Sequence, residues 1–170
     1  MTAIFLTRKR KKRLEQGHPW IFQNEVEKSE GEIIPGGLVS VLNHQRQFMA
    51  TGYINPQSQI MVRIVDYSPL EAMNIDFFAK RFRKCLEHRQ RFLEQGESYR
   101  LVYGDADFLP GLVVDKFADV LVVQIVTLGM DRCRDQIVAA LIEVLQPIGI
   151  YERSDVPMRE LEGLEQTTGV

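Results

Sequence analysis

The stretch FMATGYINPQSQIMVRIV, Phe48 to Val65, decides the architecture of the first part of the chain. Side chains alternate across a strand, so Phe48, Ala50, Gly52 and Ile54 fall on one face of the first half. Asn-Pro-Gln-Ser-Gln, 55–59, reads as a turn, because Pro fixes φ and Asn and Ser bond their own backbone. The second half places Ile60, Val62 and Ile64 on one face and Met61, Arg63 and Val65 on the other. This is strand, turn, strand. Working outward, LVSVL (38–42) is a strand with apolar residues on both faces, preceded by the turn signal IIPGG and followed by the polar connection NHQRQ. AIFL (3–6) is a further short strand. Several short strands joined by such turns predict a small closed or nearly closed barrel.

The period changes from two to 3.6 near residues 67–73. Asn74 or Asp76 can cap a helix whose apolar positions include Phe78, Phe82, Leu86 and Leu93, with Gly96 as its stop. Next come YRLVYG, the loop DADFLPG, and two strands, LVVDKF and VLVVQIV, joined by Ala118-Asp119 as a two-residue hairpin turn. GMDRCRDQIVAALIEVLQ is an amphipathic helix read as capped at Asp131 and stopped by Pro147. GIYERS is a last strand, and the segment from Asp155 is polar without a clear period.

The 170 residues are 45% hydrophobic, enough for one ordinary core or two small ones. The net charge of −2 shows that the protein as a whole is not a polycation. Its charge is uneven, and local asymmetry bears on partners rather than on fold. Arg8, Lys9, Arg10, Lys11, Lys12 and Arg13 form an unbroken basic run, while the last part from Glu143 is acidic. Cys85 and Cys133 lack C-x-x-C spacing, which suits a reducing compartment. No apolar run approaches the roughly 20 residues of a membrane span, and no apolar segment follows the basic run as in a secretory signal. The expected location is the cytoplasm, with no membrane partner.

The basic run, RKRKKRLEQG, is read as a short helix stopped by Gly17. Its charges fit either a solvated surface or a row of phosphate contacts. His18, Trp20 and Phe22 follow at once, and rings beside cations suit an RNA surface. Trp20 and Phe22 are nevertheless read as barrel core rather than as base platforms. Asp105 and Asp107 resemble the start of a calcium loop, but the later ligands are missing, so a tight turn is the better reading. Cys85 has only His88 on its helix face and is read as a buried small hydrophobe, not a nucleophile. No metal-ligand cluster is visible, and neither G-x-G-x-x-G nor a P-loop follows any strand.

Taken in order, LTRKRKKRLEQGHPWIFQNEV, PGGLVSVLN, ATGYINPQSQIMVRIV, YRLVYGDADFLPGLVVDKFADVLVVQ and IYERSDVPMRELEGL resemble the large-subunit ribosomal RNA methyltransferases that make 5-methylcytosine. The resemblance implies an α+β chain with three parts. Residues 1–68 would be a PUA-like RNA-binding barrel, 69–155 a small α/β domain with a β-hairpin, and 156–170 a linker towards a methyltransferase domain. The Rossmann-like domain is expected to be absent. No catalytic or cofactor-binding residue is carried over, and the S-adenosylmethionine of the family is expected to bind outside this chain. The implied function is to bind and position ribosomal RNA for methylation at cytosine C5, the chain by itself being inactive. A stand-alone RNA- or protein-binding module is the alternative, and a homodimer stays open. The expected RNA contacts are the run Arg8 to Arg13, His18 and Arg63, with Arg81, Arg83 and Lys84 extending the surface.

Overall fold

The computed structural model describes residues 2–93 and 98–170, so the expected helix stop at Gly96 lies outside the described residues. The chain divides into two compact units, Met1–Glu71 and Ala72–Val170.

The first unit contains β1 (Thr2–Leu6), β2 (Trp20–Ile21), β3 (Val26–Glu30), β4 (Leu38–Leu42), β5 (Phe48–Ile54) and β6 (Val62–Asp66). They form one sheet in the order β2-β6-β5-β4-β1-β3. All neighbours are antiparallel except β1 and β4. Among the described residues no ladder joins β2 to β3. The strand-turn-strand of residues 48–65 is present as β5 and β6, and Asn55 makes the turn by accepting the N–H of Gln57 at 3.1 Å. Ile4, Leu6, Val41, Ile54, Val62 and Ile64 are core residues. Gly52 is required on packing grounds, because a Cβ there would stand 2.5 Å from the Arg63 carbonyl on the paired strand.

The basic run departs from the expected helix. Residues 8–13 form turns and bends, and only Leu14–Gln16 makes a single 3-10 turn. Six adjacent like charges repel each other and supply no apolar face to pack, so nothing offsets the cost of nucleating a helix. Leu14 is buried and anchors the turn, and Gly17 ends it in the left-handed region at φ 84°.

The second unit contains α1 (Ile75–Gln90), β7 (Tyr99–Tyr103), β8 (Leu112–Phe117), β9 (Val120–Ile125), α2 (Leu128–Asp131), α3 (Arg134–Leu145), β10 (Gly149–Ser154), α4 (Met158–Leu161) and β11 (Thr167–Gly169). The sheet order is β11-β10-β9-β8-β7. β9 and β10 are parallel and α2 and α3 make the crossover between them; the other pairs are antiparallel. Asn74 caps α1 by accepting the Phe77 N–H at 2.9 Å. Helix α1 packs on α3 and β7, burying Phe78 and Phe82. Phe117 pairs with Val120, so Ala118-Asp119 is a two-residue turn, with Ala118 at φ 50°.

Two sequence expectations change here. Asp131 is the last residue of α2 rather than a cap for α3; its carboxylate meets Arg134 and Arg159 instead. The segment 156–170, read as a linker, contains α4 and the edge strand β11. Arg159, only 3% exposed, holds this segment in place by donating to the carbonyls of Ile125 (2.7 Å) and Glu165 (2.6 Å). Its spacing hides this role, because a lone Arg in a polar stretch carries no periodic signal.

Candidate nucleic-acid interface

β2 is two residues long and sits at one end of the first unit's sheet. Alternation along His18-Pro19-Trp20-Ile21-Phe22 gives each parity a separate fate. Ile21 turns inward and is 2% exposed, while His18, Trp20 and Phe22 remain partly exposed. The expected core placement of Trp20 and Phe22 is therefore corrected, since three successive extended residues cannot all face the same core.

The three outward rings form a chain of edge contacts. His18 and Trp20 are 5.3 Å apart at 86°, and Trp20 and Phe22 are 6.4 Å apart at 79°. Register places Arg63 opposite Trp20, and its guanidinium lies 5.9 Å from the Trp20 ring centroid. Arg13 lies 5.5 Å from the Phe22 ring. The Trp20 N–H donates to His18 Nδ1 at 3.3 Å, and the His18 N–H donates to the Arg13 carbonyl at 3.0 Å. Phe22 is held by its N–H, which donates to the Glu25 carboxylate at 3.0 Å. Thus three residues singled out in the sequence, Arg13, His18 and Arg63, meet around two aromatic rings that the sequence had assigned to the core.

Part of the basic run borders a cleft of about 570 Å³, whose walls include Lys9, Arg10, Lys11, Arg13, Phe22 and Asn24. Its members are not equivalent. Arg8, Lys9, Lys11 and Lys12 are exposed. The Arg10 side chain is 7% exposed and grips Glu15 with two hydrogen bonds, of 2.6 and 2.9 Å. That bond, more than the other nearby charges, holds the Glu15 carboxyl below its usual pKa. Arg10 thus clasps the loop onto the 3-10 turn, a role invisible in a row of like charges. The surface offers cations of two kinds, some stacked on rings and others projecting, which is what single-stranded RNA presents partners for: flat bases and a row of phosphates.

In the second unit, Arg83 is paired with Glu143, linking α1 to α3. Arg81 stands over the Phe77 and Phe108 rings at 5.3 and 5.6 Å. With Lys84, Cys85 and His88 it lines a small cleft of about 140 Å³. Burial, then the nearby Asp107 charge, pushes the Cys85 thiol up to about 12, so this sulfur is not a thiolate nucleophile at neutral pH. Asp107 is engaged in structure, receiving Arg89 at 2.6 Å and the Tyr103 N–H at 2.7 Å. Among the described residues no group of three His, Cys, Asp or Glu side chains could hold a metal ion.

Ligands of parallel α/β sheets bind beyond the carboxyl ends of the strands. At the ends of β9 and β10 that place is filled by Arg159, bonded to Ile125 and to Asp131 at 3.0 Å. A buried guanidinium with its bonds already made does not fit an S-adenosylmethionine there.

Comparison with known proteins is consistent with these two units. Residues 4–67 match the model of the PUA-like domain. The chain is 38% identical over 170 residues to Ribosomal RNA large subunit methyltransferase I of Pseudoalteromonas translucida, covering 99% of this chain and 43% of that protein. The protein of the same name from Shigella boydii serotype 18 is 35% identical over 169 residues, covering 98% and 43%. The chain therefore spans less than half the length of these curated relatives. A SAM-dependent methyltransferase from Streptococcus mutans superposes with a TM-score of 0.77 at 21% identity, over 90% of this chain and 40% of that one. A methyltransferase solved in complex with SAH gives the same values. The expected fold class is corrected by this finding. The chain was set apart from any Rossmann-like methyltransferase domain, yet nine-tenths of it follows methyltransferase structures. Its β9-α3-β10 unit is a parallel crossover of the kind such α/β folds are built from. A parallel crossover needs no glycine fingerprint to form, so the absence of one in the sequence does not exclude it. The chain thus carries a PUA-like domain at residues 4–67 and is similar over nearly its whole length to part of the large-subunit ribosomal RNA methyltransferases.

Proposed function

We propose that this chain holds and orients ribosomal RNA for an S-adenosylmethionine-dependent large-subunit ribosomal RNA methyltransferase acting at cytosine C5. The observation that carries the reading is the partly exposed row His18, Trp20 and Phe22 with Arg63 and Arg13 against its rings. Arg8, Lys9, Lys11, Lys12 and Arg13 contact phosphates, His18 and Trp20 contact bases, and Arg10 keeps the loop in shape. Methyl transfer belongs to the whole protein, and binding energy gathered here fixes the target base at a distance from the reacting atoms. The cytoplasm, where ribosomal RNA is modified, is the proposed compartment.

The test is RNA affinity with a single-stranded RNA probe. Loss of one stacked base partner weakens binding by about tenfold, so Trp20→Ala should bind about that much more weakly while Trp20→Phe retains affinity. Equal affinity for wild type and Trp20→Ala overturns the reading. Incubating the chain with ribosomal RNA and S-adenosylmethionine should give no methylated cytosine; its appearance would refute the separation of binding from transfer.

A further inference from the structure

A second aromatic surface lies wholly within the second unit. β7 is the edge strand of its sheet, and a register irregularity between Arg100 and Val102 interrupts its alternation. Arg100 and Tyr103, three residues apart, are thereby brought together, with the guanidinium 5.2 Å from the Tyr103 ring. Arg100 also grips Asp115 through bonds of 2.8 and 3.0 Å, so its place is fixed from below. Tyr103 is 58% exposed.

The 3-10 turn Gly104–Asp107 follows, and Phe108 ends it. Phe108 takes φ 57° and ψ 31°, a left-handed conformation that costs a bulky residue energy, and yet it leaves 40% of its surface in solvent. A ring left 40% in solvent at such a position forgoes part of the burial that would offset the strain. Arg81 lies 5.6 Å from its ring. Lys84 and His88 of α1 line the cleft beneath it. The turn itself is braced: Asp107 accepts the Tyr103 N–H at 2.7 Å and the Arg89 guanidinium at 2.6 Å, while Arg89 Nε donates to the Arg100 carbonyl at 3.0 Å. Two exposed rings therefore stand at the two ends of one fixed turn, each with a guanidinium against it.

From this juxtaposition we infer that Tyr103 and Phe108 form a second base-stacking site for single-stranded RNA, with Arg81 and Lys84 meeting the adjoining phosphates. It rests on the proposed RNA-holding role and adds a binding site in the second unit. Stacking takes any base, because every base has a flat π-face, so this site supplies affinity and orientation rather than sequence choice. A paired strand keeps its bases inside the helix and does not offer them.

The experiment uses the intact chain and a fluorescein-labelled single-stranded RNA of about ten nucleotides, a length within the usual span of such sites. Phe108→Asn removes the ring while supplying a residue that accepts the left-handed backbone, so thermal stability should hold. Affinity for the single strand should fall about tenfold, and affinity for the same sequence in duplex form should not change. Tyr103→Thr should do the same. Wild-type affinity for the single strand in both variants overturns the inference. If Trp20→Ala binds weakly and Phe108→Asn binds normally, this site fails and the proposed role of the first unit stands. If Phe108→Asn binds weakly and Trp20→Ala binds normally, the second site stands and the role given to the first unit fails.

Discussion

Replacing Lys9, Lys11 and Lys12 together by Gln separates the two uses of the basic run. All three are exposed, whereas Arg10 is clasped to Glu15. Each phosphate neutralised on a single strand adds roughly 0.7 to the slope of log affinity against log salt, so losing three contacts should shrink the slope by about 2. Between about 50 and 200 mM salt the wild-type protein should then lose about twentyfold more affinity than the variant. Fluorescence anisotropy of a labelled single-stranded RNA across that range reads the slope directly. Arg10→Gln is the counterpart, because it removes the same charge from a residue already spent on Glu15. Its slope should match wild type, while amide exchange over residues 8–17 should speed up. The Glu15 carboxyl is held low chiefly by the Arg10 hydrogen bond. A depressed folded pKa stabilises above the unfolded value of 4.5 and loses that contribution as pH falls through the lower folded value. The exchange difference between Arg10→Gln and wild type should therefore narrow below pH 4.5. An unchanged slope in the triple lysine variant, or an equal loss of slope in Arg10→Gln, refutes this division of labour.

Three further outcomes follow from the packing. Arg159→Met leaves the Ile125 and Glu165 carbonyls without their donor and takes one partner from Asp131. Breaking such a buried charged network costs about 3–5 kcal/mol, visible as faster exchange of the β9 and β10 amides. Gly52→Ala drives a Cβ to 2.5 Å from the Arg63 carbonyl. Overpacking of this kind costs about 1–3 kcal/mol, and the displaced Arg63 should also weaken RNA binding, so a variant with unaltered melting temperature and affinity would contradict the register argument. Cys85, with its thiol pushed up to about 12, should label with iodoacetamide at pH 8 far more slowly in the folded protein than after denaturation.

The parts of the molecule that could be read from the sequence are those with a strong local period. Phe48–Ile54 alternates and is followed by Asn-Pro, and Phe48–Val65 forms β5, a turn and β6. Phe78 and Phe82 repeat at helical spacing after Asn74, and α1 starts there. The basic run has no apolar period at all, so its helix reading rests on the Gly17 stop alone, and repulsion with Arg10 pairing to Glu15 gives a loop instead. The network around Arg159 was hidden for a different reason. Its partners, Ile125, Asp131 and Glu165, lie in separate elements and meet only after α4 docks. The proposed stacking row is half legible in the sequence. The residue types were seen, but Trp20 was assigned inward because tryptophan is usually buried.

Strand parity resolves that last point and gives a test. Ile21 and Trp20 are neighbours, and opposite sides of β2 receive them: Ile21 is in the core beside Val62, and Trp20 lies outside against His18, Phe22 and Arg63. By size alone Trp20→Ala should be the more damaging change to stability. By parity the order reverses. Ile21→Ala opens a core cavity and costs about 2–5 kcal/mol. Trp20→Ala removes a partly exposed ring whose edge contacts are each worth about 0.5–1.5 kcal/mol, some of which solvent already compensates. Urea unfolding of the two variants, followed by circular dichroism, should therefore place Ile21→Ala well below Trp20→Ala in stability. The milder Ile21→Val should stay folded and retain RNA affinity that Trp20→Ala loses. If Trp20→Ala proves the less stable variant, the ring belongs to the core and the aromatic row at the sheet edge is not available to a base.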